Sequence, residues 1–174
     1  MASKIEWCDV TWNPIVGCSV VSPGCTNCYA MKQAVRLDRS GSHYHGTTQP
    51  SKGGPVWTGK VAMAPEKTLT APLRWREPSK VFVNSMGDVF HESIPDEWIS
   101  QVFAVMEACP QHIFQVLTKR AERMYDHMAG IAAMEPNSGW PPPNVWLGVS
   151  VEDRKRTHRI DVLRQVPAAI RFLS

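Results

Sequence analysis

Three cysteines fall within eleven residues near the start of the chain: Cys18, Cys25 and Cys28, in the run GCSVVSPGCTNCYA. Three thiolates this close, flanked by Gly and Pro, read as a metal site one ligand short. A 4Fe–4S cluster held by three thiolates leaves one iron open to a substrate or cofactor, much as a catalytic zinc keeps an open position. A closed structural zinc is the alternative, and it needs a fourth ligand. Cys8 would supply one, giving C-x9-C-x6-C-x2-C, and so would His43 or His45. Only Cys25 and Cys28 form the tight pair that a zinc ribbon uses twice, so spacing alone leaves zinc and iron–sulfur level. Cys109 ends an expected helix and reads as a buried core thiol.

The elements that must position the trio change in character along the chain. Before Pro78, Gly, Pro, Ser and Thr interrupt every periodic stretch but one. YAMKQAVRLDR (29–39) has good helix formers, with apolar residues at 30, 31, 34, 35 and 37, and predicts a helix. The cysteines therefore lie on a loop entering a helix N-terminus, where backbone N–H groups and the helix dipole favour thiolates. Residues 1–40 form this cysteine loop and helix. GSHYHGTTQPSKGGP (41–55) reads as a long loop, and 41–78 as an irregular insertion.

Residues 79–174 alternate strand and helix. KVFVN (80–84), HIFQVLT (112–118), NVWLGVSV (144–151) and AIRFLS (169–174) read as strands. PDEWISQVFAVMEAC (95–109), KRAERMYDHMAGIAAM (119–134, ending near Gly130) and EDRKRTHRIDVLRQV (152–166) read as helices. Val81, Ile113 and Val145 recur at intervals of 32 residues, which suits βαβ units. Strands apolar on both faces, separated by amphipathic helices, imply a parallel sheet in an α/β domain. A doubly wound sheet and a β/α barrel both satisfy the pattern, and in either function gathers at the C-terminal strand ends. Those ends are Asn84-Ser85-Met86-Gly87-Asp88, Thr118-Lys119 and Ser150-Val151-Glu152. The last strand has no helix after it, so we expect a single domain over 1–174 that is truncated at its C-terminus, with a natural C-terminal edge strand as the alternative.

With 174 residues, 43% hydrophobic and 20% charged, the chain has the make-up of one globular domain with a substantial core. No run approaches the roughly 18 apolar residues of a membrane helix, so no membrane partner is expected. The opening MASKIEWCDV holds no long apolar stretch of the signal-peptide kind, and a cytoplasmic location is the expectation. Thiols stay reduced there, which favours metal or redox chemistry over disulfides. A net charge of +3 permits an anionic substrate or nucleic acid without requiring either. KRAER (119–123) and DRKRTHR (153–159) offer phosphate contacts, yet read first as exposed helix faces. His91-Glu92 suggests an acid–base or metal pair, but its place before Pro95 reads as surface. The seven Trp suit packing more than base stacking.

Several strings, IEWCDVTWNPIVGCSVVSPGCTNCYA, KVFVNSMGDVFHESIPDEWI, HIFQVLTKRAERM, NVWLGVSVED and AAIRFLS, carry a resemblance over nearly the whole chain. In order, they resemble an uncharacterised bacterial and phage three-cysteine family, a domain of unknown function regarded as radical-SAM-like. The resemblance implies that Cys18, Cys25 and Cys28 are the metal ligands, with Cys8 outside the set. It also implies a partial (β/α) barrel of radical-SAM type, TIM-barrel-like, in a family whose members continue beyond this chain's end. The implied function is an enzyme whose 4Fe–4S cluster reductively cleaves S-adenosylmethionine, fed by an electron donor such as a flavodoxin or ferredoxin. Most radical-SAM enzymes use C-x3-C-x2-C with an aromatic before the last cysteine. Here the first spacing is six, Asn27 precedes Cys28 and Tyr29 follows it.

On the same analogy Asn84, Ser85 and Asp88 would hold the methionine amine. Ser150 and Glu152 would bond the ribose, and Lys119 would pair with a carboxylate or an anionic substrate. Local roles stand beside these: Asp88 capping a turn, Ser150 or Glu152 capping the next helix, Lys119 in a solvated first turn. The competing function is a zinc-stapled, phage-associated nucleic-acid-binding module without catalysis. A third is a catalytically dead fragment.

Overall fold

Short β-branched and aromatic runs become the strands, and their pairing decides what each one does. The computed structural model describes residues 5–134 and 140–174. Strands β1 (Val10–Trp12) and β2 (Ile15–Val16) come first, then a 3-10 turn (Pro23–Cys25) in the cysteine loop and helix α1 (Tyr29–Leu37). The stretch expected to be irregular holds β3 (Thr48–Gln49), β4 (Val56–Trp57), β5 (Ala62–Met63), α2 (Glu66–Leu69) and a 3-10 turn (Ala71–Arg74). It is ordered by two small antiparallel pairs, β3 with β4 and β2 with β5. The second pair ties the insertion to the segment leading into the cysteines.

The regular alternation then begins: β6 (Lys80–Val83), α3 (Asp96–Glu107), β7 (Ile113–Thr118), α4 (Ala121–Met134) and β8 (Val145–Val149). A 3-10 turn (Arg154–Arg156), α5 (His158–Gln165) and β9 (Ile170–Leu173) complete it. Helix α4 runs through Gly130 rather than ending there. The stretch 152–166, expected as one helix, is divided. Glu152 is tied to Ser22 and Arg159, and the backbone stays extended through Asp153 (φ −156°, ψ 171°) before the 3-10 turn.

One five-stranded sheet takes the order β1-β6-β7-β8-β9, with every pair parallel. The fold is thus mixed α/β around a parallel sheet. Spatial order follows chain order throughout; these five strands lack the reversal that creates the switch point of a doubly wound sheet. Strand β1 is an addition to the sequence reading. Its three residues, bounded by Asp9 and Asn13-Pro14, are too few to show alternation, and it gains its identity only by pairing with β6.

The register refines the 32-residue spacing: Val81 aligns with Phe114 and Phe114 with Val145, while Ile113 lies opposite Lys80. A one-residue slip exchanges the two faces of a strand, and it is Phe114 that is fully buried. Val81, Val83, Phe114, Val116, Val145, Leu147 and Val149 form one face and share a core with residues of the three later helices. Among those partners are Ile99 and Phe103 of α3, Met124 and Met128 of α4, and Leu163 of α5. Phe82 and Leu117 belong to the other face, which looks into a cavity at the strands' C-terminal ends. Among the described residues, no helix is long and apolar enough to cross a membrane.

Candidate functional site

That cavity, of about 150 Å³, brings together what the sequence scatters. Cys18, Cys25 and Cys28 all line it. Asn84, Ser85 and Asp88 from the end of β6, Lys119 from the end of β7 and Ser150 from the end of β8 line it as well. Eight of the nine expected site residues therefore meet in one place; Glu152 alone stands outside the lining.

Close backbone approach docks the cysteine loop here. Gly17 takes φ +90° and bridges to Gly87 in a parallel pair, with the Gly17 N–H donating to the Met86 carbonyl at 3.1 Å. A Cβ on Gly17 would land on the Lys60 carbonyl, and one on Gly87 would lie 2.9 Å from the Gly17 carbonyl oxygen. Further along, a Cβ on Gly24 would come within 2.8 Å of the Glu152 side chain. The Ser22 hydroxyl donates to the Glu152 carboxylate, whose other oxygen accepts from Arg159 at 2.8 Å. These two ties hold Glu152 as the strut between the cysteine loop and β8, and they keep its carboxyl below the ordinary range against the opposing effect of burial.

The thiols occupy unlike environments. Burial, reinforced by the negative Asp88, pushes Cys18 up to about 12, although the Arg120 guanidinium lies 3.7 Å from its Sγ. In the metal-free chain Cys18 is therefore a neutral thiol at neutral pH. Cys25 shifts the other way: burial is outweighed by backbone hydrogen bonds at Val21 and Ser22, by the Ser22 hydroxyl and by the Lys119 charge. Cys28 is the N-cap residue of α1, as its place before the expected helix required. Cys8 and Cys109 are both buried and lie outside the cavity lining.

Behind Cys18 stands a network the sequence did not announce. Arg120, 9% exposed, donates to Glu92 at 2.6 Å, to Ser19 Oγ at 2.7 Å and to Asp88 at 3.0 Å. These acceptors keep Arg120 fully cationic, and its fork holds the Glu92 carboxyl down to about 2 despite partial burial. His91 Nε2 meets Ser19 Oγ at 3.0 Å, and burial followed by the Arg120 charge lowers the imidazole's affinity for a proton. The expectation of an exposed KRAER face is corrected at Arg120 and again at Arg123, which donates to the His91 and Ile94 carbonyls. His91, expected at the surface, is 1% exposed; only Glu92 reaches solvent. The available signal was Arg120's place two residues after the end of β7.

Asp88 is committed locally. Its carboxylate accepts from Thr118 Oγ1 at 2.7 Å, the Lys119 N–H at 3.2 Å and the Phe90 N–H at 3.0 Å, besides Arg120. Ser85 Oγ donates to Asn13 at 3.1 Å. Asn84 differs from both. It is 97% buried and adopts φ +59°, a conformation unusual for a residue with a side chain. Its Oδ1 accepts from the Ile15 N–H at 3.3 Å, so the amide's NH₂ faces away from that bond, and this Nδ2 has no partner. An unpaired buried donor is costly, and this one belongs to a cavity-lining residue.

Among the described residues, no group of three or more His, Cys, Asp and Glu side chains converges on a point where one metal ion would sit. A family model described as a protein of unknown function (DUF5131) matches residues 2–174. No curated protein and no solved structure matches the chain.

Proposed function

The chain belongs to the DUF5131 family of proteins of unknown function, and from that premise we propose an iron–sulfur enzyme of radical-SAM type on a partial β/α barrel. The observation that carries this reading is the meeting of three cysteines with Asn84, Ser85, Asp88, Lys119 and Ser150 in one cavity at the C-terminal ends of parallel strands. The uninterrupted parallel order supports the barrel, in which active sites form at that end.

The donor set fits a cluster better than a single zinc. Structural zinc needs four donors around one point, at about 2.0–2.3 Å, and no described group offers this. A cluster takes each thiolate on a different iron, so three cysteines that share a cavity without converging on one point suit it. When bound, it supplies one-electron reductive cleavage of S-adenosylmethionine, the source of a radical that takes a hydrogen atom from a substrate.

The chain's own residues do the rest. Cys18, Cys25 and Cys28 hold the cluster, and Arg120 offsets the negative charge of the Cys18 thiolate. Lys119 is the charge partner of the S-adenosylmethionine carboxylate, and Asn84 and Ser85 shape the β6 end of the cavity. Ser150 bonds a ribose hydroxyl, while Glu152 acts through the loop it braces. Phe82, Leu117 and Trp57 wall the cavity and exclude water. At about 150 Å³ the enclosed space is below the roughly 300–1,000 Å³ of sites for drug-sized ligands.

Anaerobic reconstitution tests the reading. We expect about four iron and four sulfide per chain, as the cluster requires, together with formation of 5′-deoxyadenosine from S-adenosylmethionine under reduction. Cys18→Ala, Cys25→Ala and Cys28→Ala should each abolish both, whereas Cys8→Ala should retain them. Stoichiometric zinc without iron or sulfide would replace this reading with a zinc-stapled module.

A further inference from the structure

We propose that the exposed face of α1, with the groove beside it, is the docking surface for an acidic one-electron carrier protein. This names a partner of the proposed enzyme. It rests on that reading for the electron that crosses the surface, though not for the docking itself.

The inference starts from where the chain keeps its charge. Residues 10–65 hold five Lys and Arg, at 32, 36, 39, 52 and 60, against a single acid, Asp38. The net +3 of the chain therefore comes from the part that carries the three cysteines. Asp38 does not offset its neighbours: its carboxylate meets His45 Nδ1 at 2.9 Å and accepts from the Gly46 N–H at 3.3 Å. Lys60 donates to the His45 carbonyl at 2.7 Å. Lys32, Arg36, Arg39 and Lys52 are exposed and form no ion pair among the described residues.

A charged helix face is ordinarily just solvated; the place of this one in the fold sets it apart. Cys28 is the N-cap of α1 and Tyr29 its first residue. Residues three, four and seven apart share a helix face, so Lys32, Gln33 and Arg36 continue the face that Tyr29 opens. All four are exposed, while Ala30, Met31 and Ala34 are buried. Tyr29 is 55% exposed, lines the cavity of the three thiols and donates to the Ser85 carbonyl at 3.1 Å. From Tyr29 to Arg36 the helix axis advances roughly 10 Å. The basic face thus meets the thiol cavity at one end, and a carrier on it approaches the thiols without entering that cavity.

The second part of the surface is a groove of about 530 Å³ between α1 and the β3–β4 hairpin. Val35, 48% exposed, and Asp38 line it from the helix, and Pro50, Ser51, Gly54 and Pro55 from the hairpin. Lys52 lies in the turn between Ser51 and Gly54, which is closed by reciprocal backbone bonds of 3.0 and 3.1 Å. Cations therefore come from both elements that form the groove. Interfaces seat anchoring side chains in pockets of this kind, and the surrounding charge steers the encounter. A nucleic acid would engage the cations but leave Val35, Pro50 and Pro55 unused, which favours an acidic protein. The proposed cleavage consumes one electron, which such a protein in its reduced state supplies. One electron passes from carrier to cluster, and no bond forms or breaks.

A flavodoxin of low isoelectric point is the probe, used with the full chain. Calorimetry at low salt measures binding, and stopped-flow absorbance measures reduction of the reconstituted chain. Affinity should fall at least about fivefold in Lys32→Gln/Arg36→Gln, and the gap should close as salt screens the charges. Val35→Asp, which puts an acid in the groove, should weaken binding likewise. Arg76→Gln/Lys80→Gln removes the same charge around the start of β6, away from the strand ends that form the cavity, and should bind as the parent does. Circular dichroism should match the parent throughout, since none of these side chains is hydrogen-bonded or ion-paired to a described residue. Reduction by flavodoxin should slow in the α1 variant, while reduction by dithionite should not. Equal affinity in the parent and Lys32→Gln/Arg36→Gln would overturn the proposal. So would an equal loss in Arg76→Gln/Lys80→Gln, or a 12-nucleotide single strand that binds α1 more tightly than flavodoxin does. The cluster reading fails separately: chains that take up no iron yet bind flavodoxin through α1 leave the surface standing while that reading falls.

Discussion

Replacing Arg120 by Gln would remove the charge at the centre of the network behind Cys18. Arg120 and Asp88 are 9% and 7% exposed in their side chains, with 3.0 Å between Nη1 and Oδ2. Removing one partner of such a buried pair typically costs about 3–5 kcal/mol, because the other charge is left uncompensated. Here Asp88 would keep Thr118 Oγ1 and the N–H groups of Phe90 and Lys119. We therefore expect the lower end, about 3 kcal/mol, or a fall in melting temperature of roughly 6–12 °C for a chain of this size. The pH dependence follows from Glu92. Its folded value of about 2 lies below the ordinary 4.5, so its contribution is fully present above 4.5 and is lost as pH falls toward 2. Glu92 is largely solvated, and solvent screens this contribution. Parent and variant should thus melt furthest apart at pH 7, and the gap should narrow as pH falls from 4.5 toward about 2, as the parent loses what the variant never had. Calorimetry across that range checks both points. A variant melting within about 2 °C of the parent at pH 7, or a gap that fails to narrow in acid, would refute the account of Arg120 as the charge that organises this corner.

The glycine contacts give two further expectations. Gly17→Ala combines a positive φ with a clash against the Lys60 backbone, strain and overpacking that each cost about 1–3 kcal/mol. Its melting temperature should fall at least about 4 °C further than that of Gly53→Ala, whose Cβ meets nothing within 4 Å. Gly24→Ala presses on a flexible carboxylate side chain rather than on backbone. It should leave global stability within about 1 kcal/mol while displacing the loop, seen as faster alkylation of Cys25 in metal-free protein. Unaltered Cys25 reactivity would mean that the Glu152 strut does not set the loop's position.

Much of the fold was legible because β6, β7 and β8 are apolar runs separated by amphipathic helices at nearly constant spacing. Periodicity reports elements that bury a continuous face, and these strands do so. It fails where structure comes from pairing. β1 and the two-residue pairs between 15 and 63 hold too few residues to alternate, and distant partners define them. The site was legible for a similar reason. Parallel strands deliver their C-terminal ends to one side, so Asn84, Lys119 and Ser150 could be grouped before their contacts were known. Arg120 escaped because a charged residue opening a helix reads as solvated, and only the fold reveals the acceptors around it. Glu152 was correctly placed at a strand end; its neighbour Ser22, far away in sequence, could not be read from that position.

The strand order also accounts for how a loop rich in Gly, Ser and Pro holds three thiols in place. Each part of the loop is anchored to a different strand end. Gly17 pairs with Gly87 after β6, Cys18 and Ser19 meet Arg120 after β7, and Ser22 meets Glu152 after β8. Cys28 is fixed in turn by starting α1, whose Ala30, Met31 and Ala34 pack with Val16, Tyr44, Trp57 and Met86. The loop therefore crosses the sheet in the sequence of its strands, and the stretch from Ser19 to Ser22, inside the gap between Cys18 and Cys25, carries it from the β7 anchor to the β8 anchor. On this view the long first gap reflects where the loop is tied, and it leaves the role of the thiols intact. Shortening the gap while keeping all three cysteines should then cost the Ser22–Glu152 tie before it costs the Arg120–Cys18 contact. Alkylation of metal-free protein would read this directly: Cys25 should become more reactive while Cys18 remains protected, and the reverse order would refute the anchoring argument.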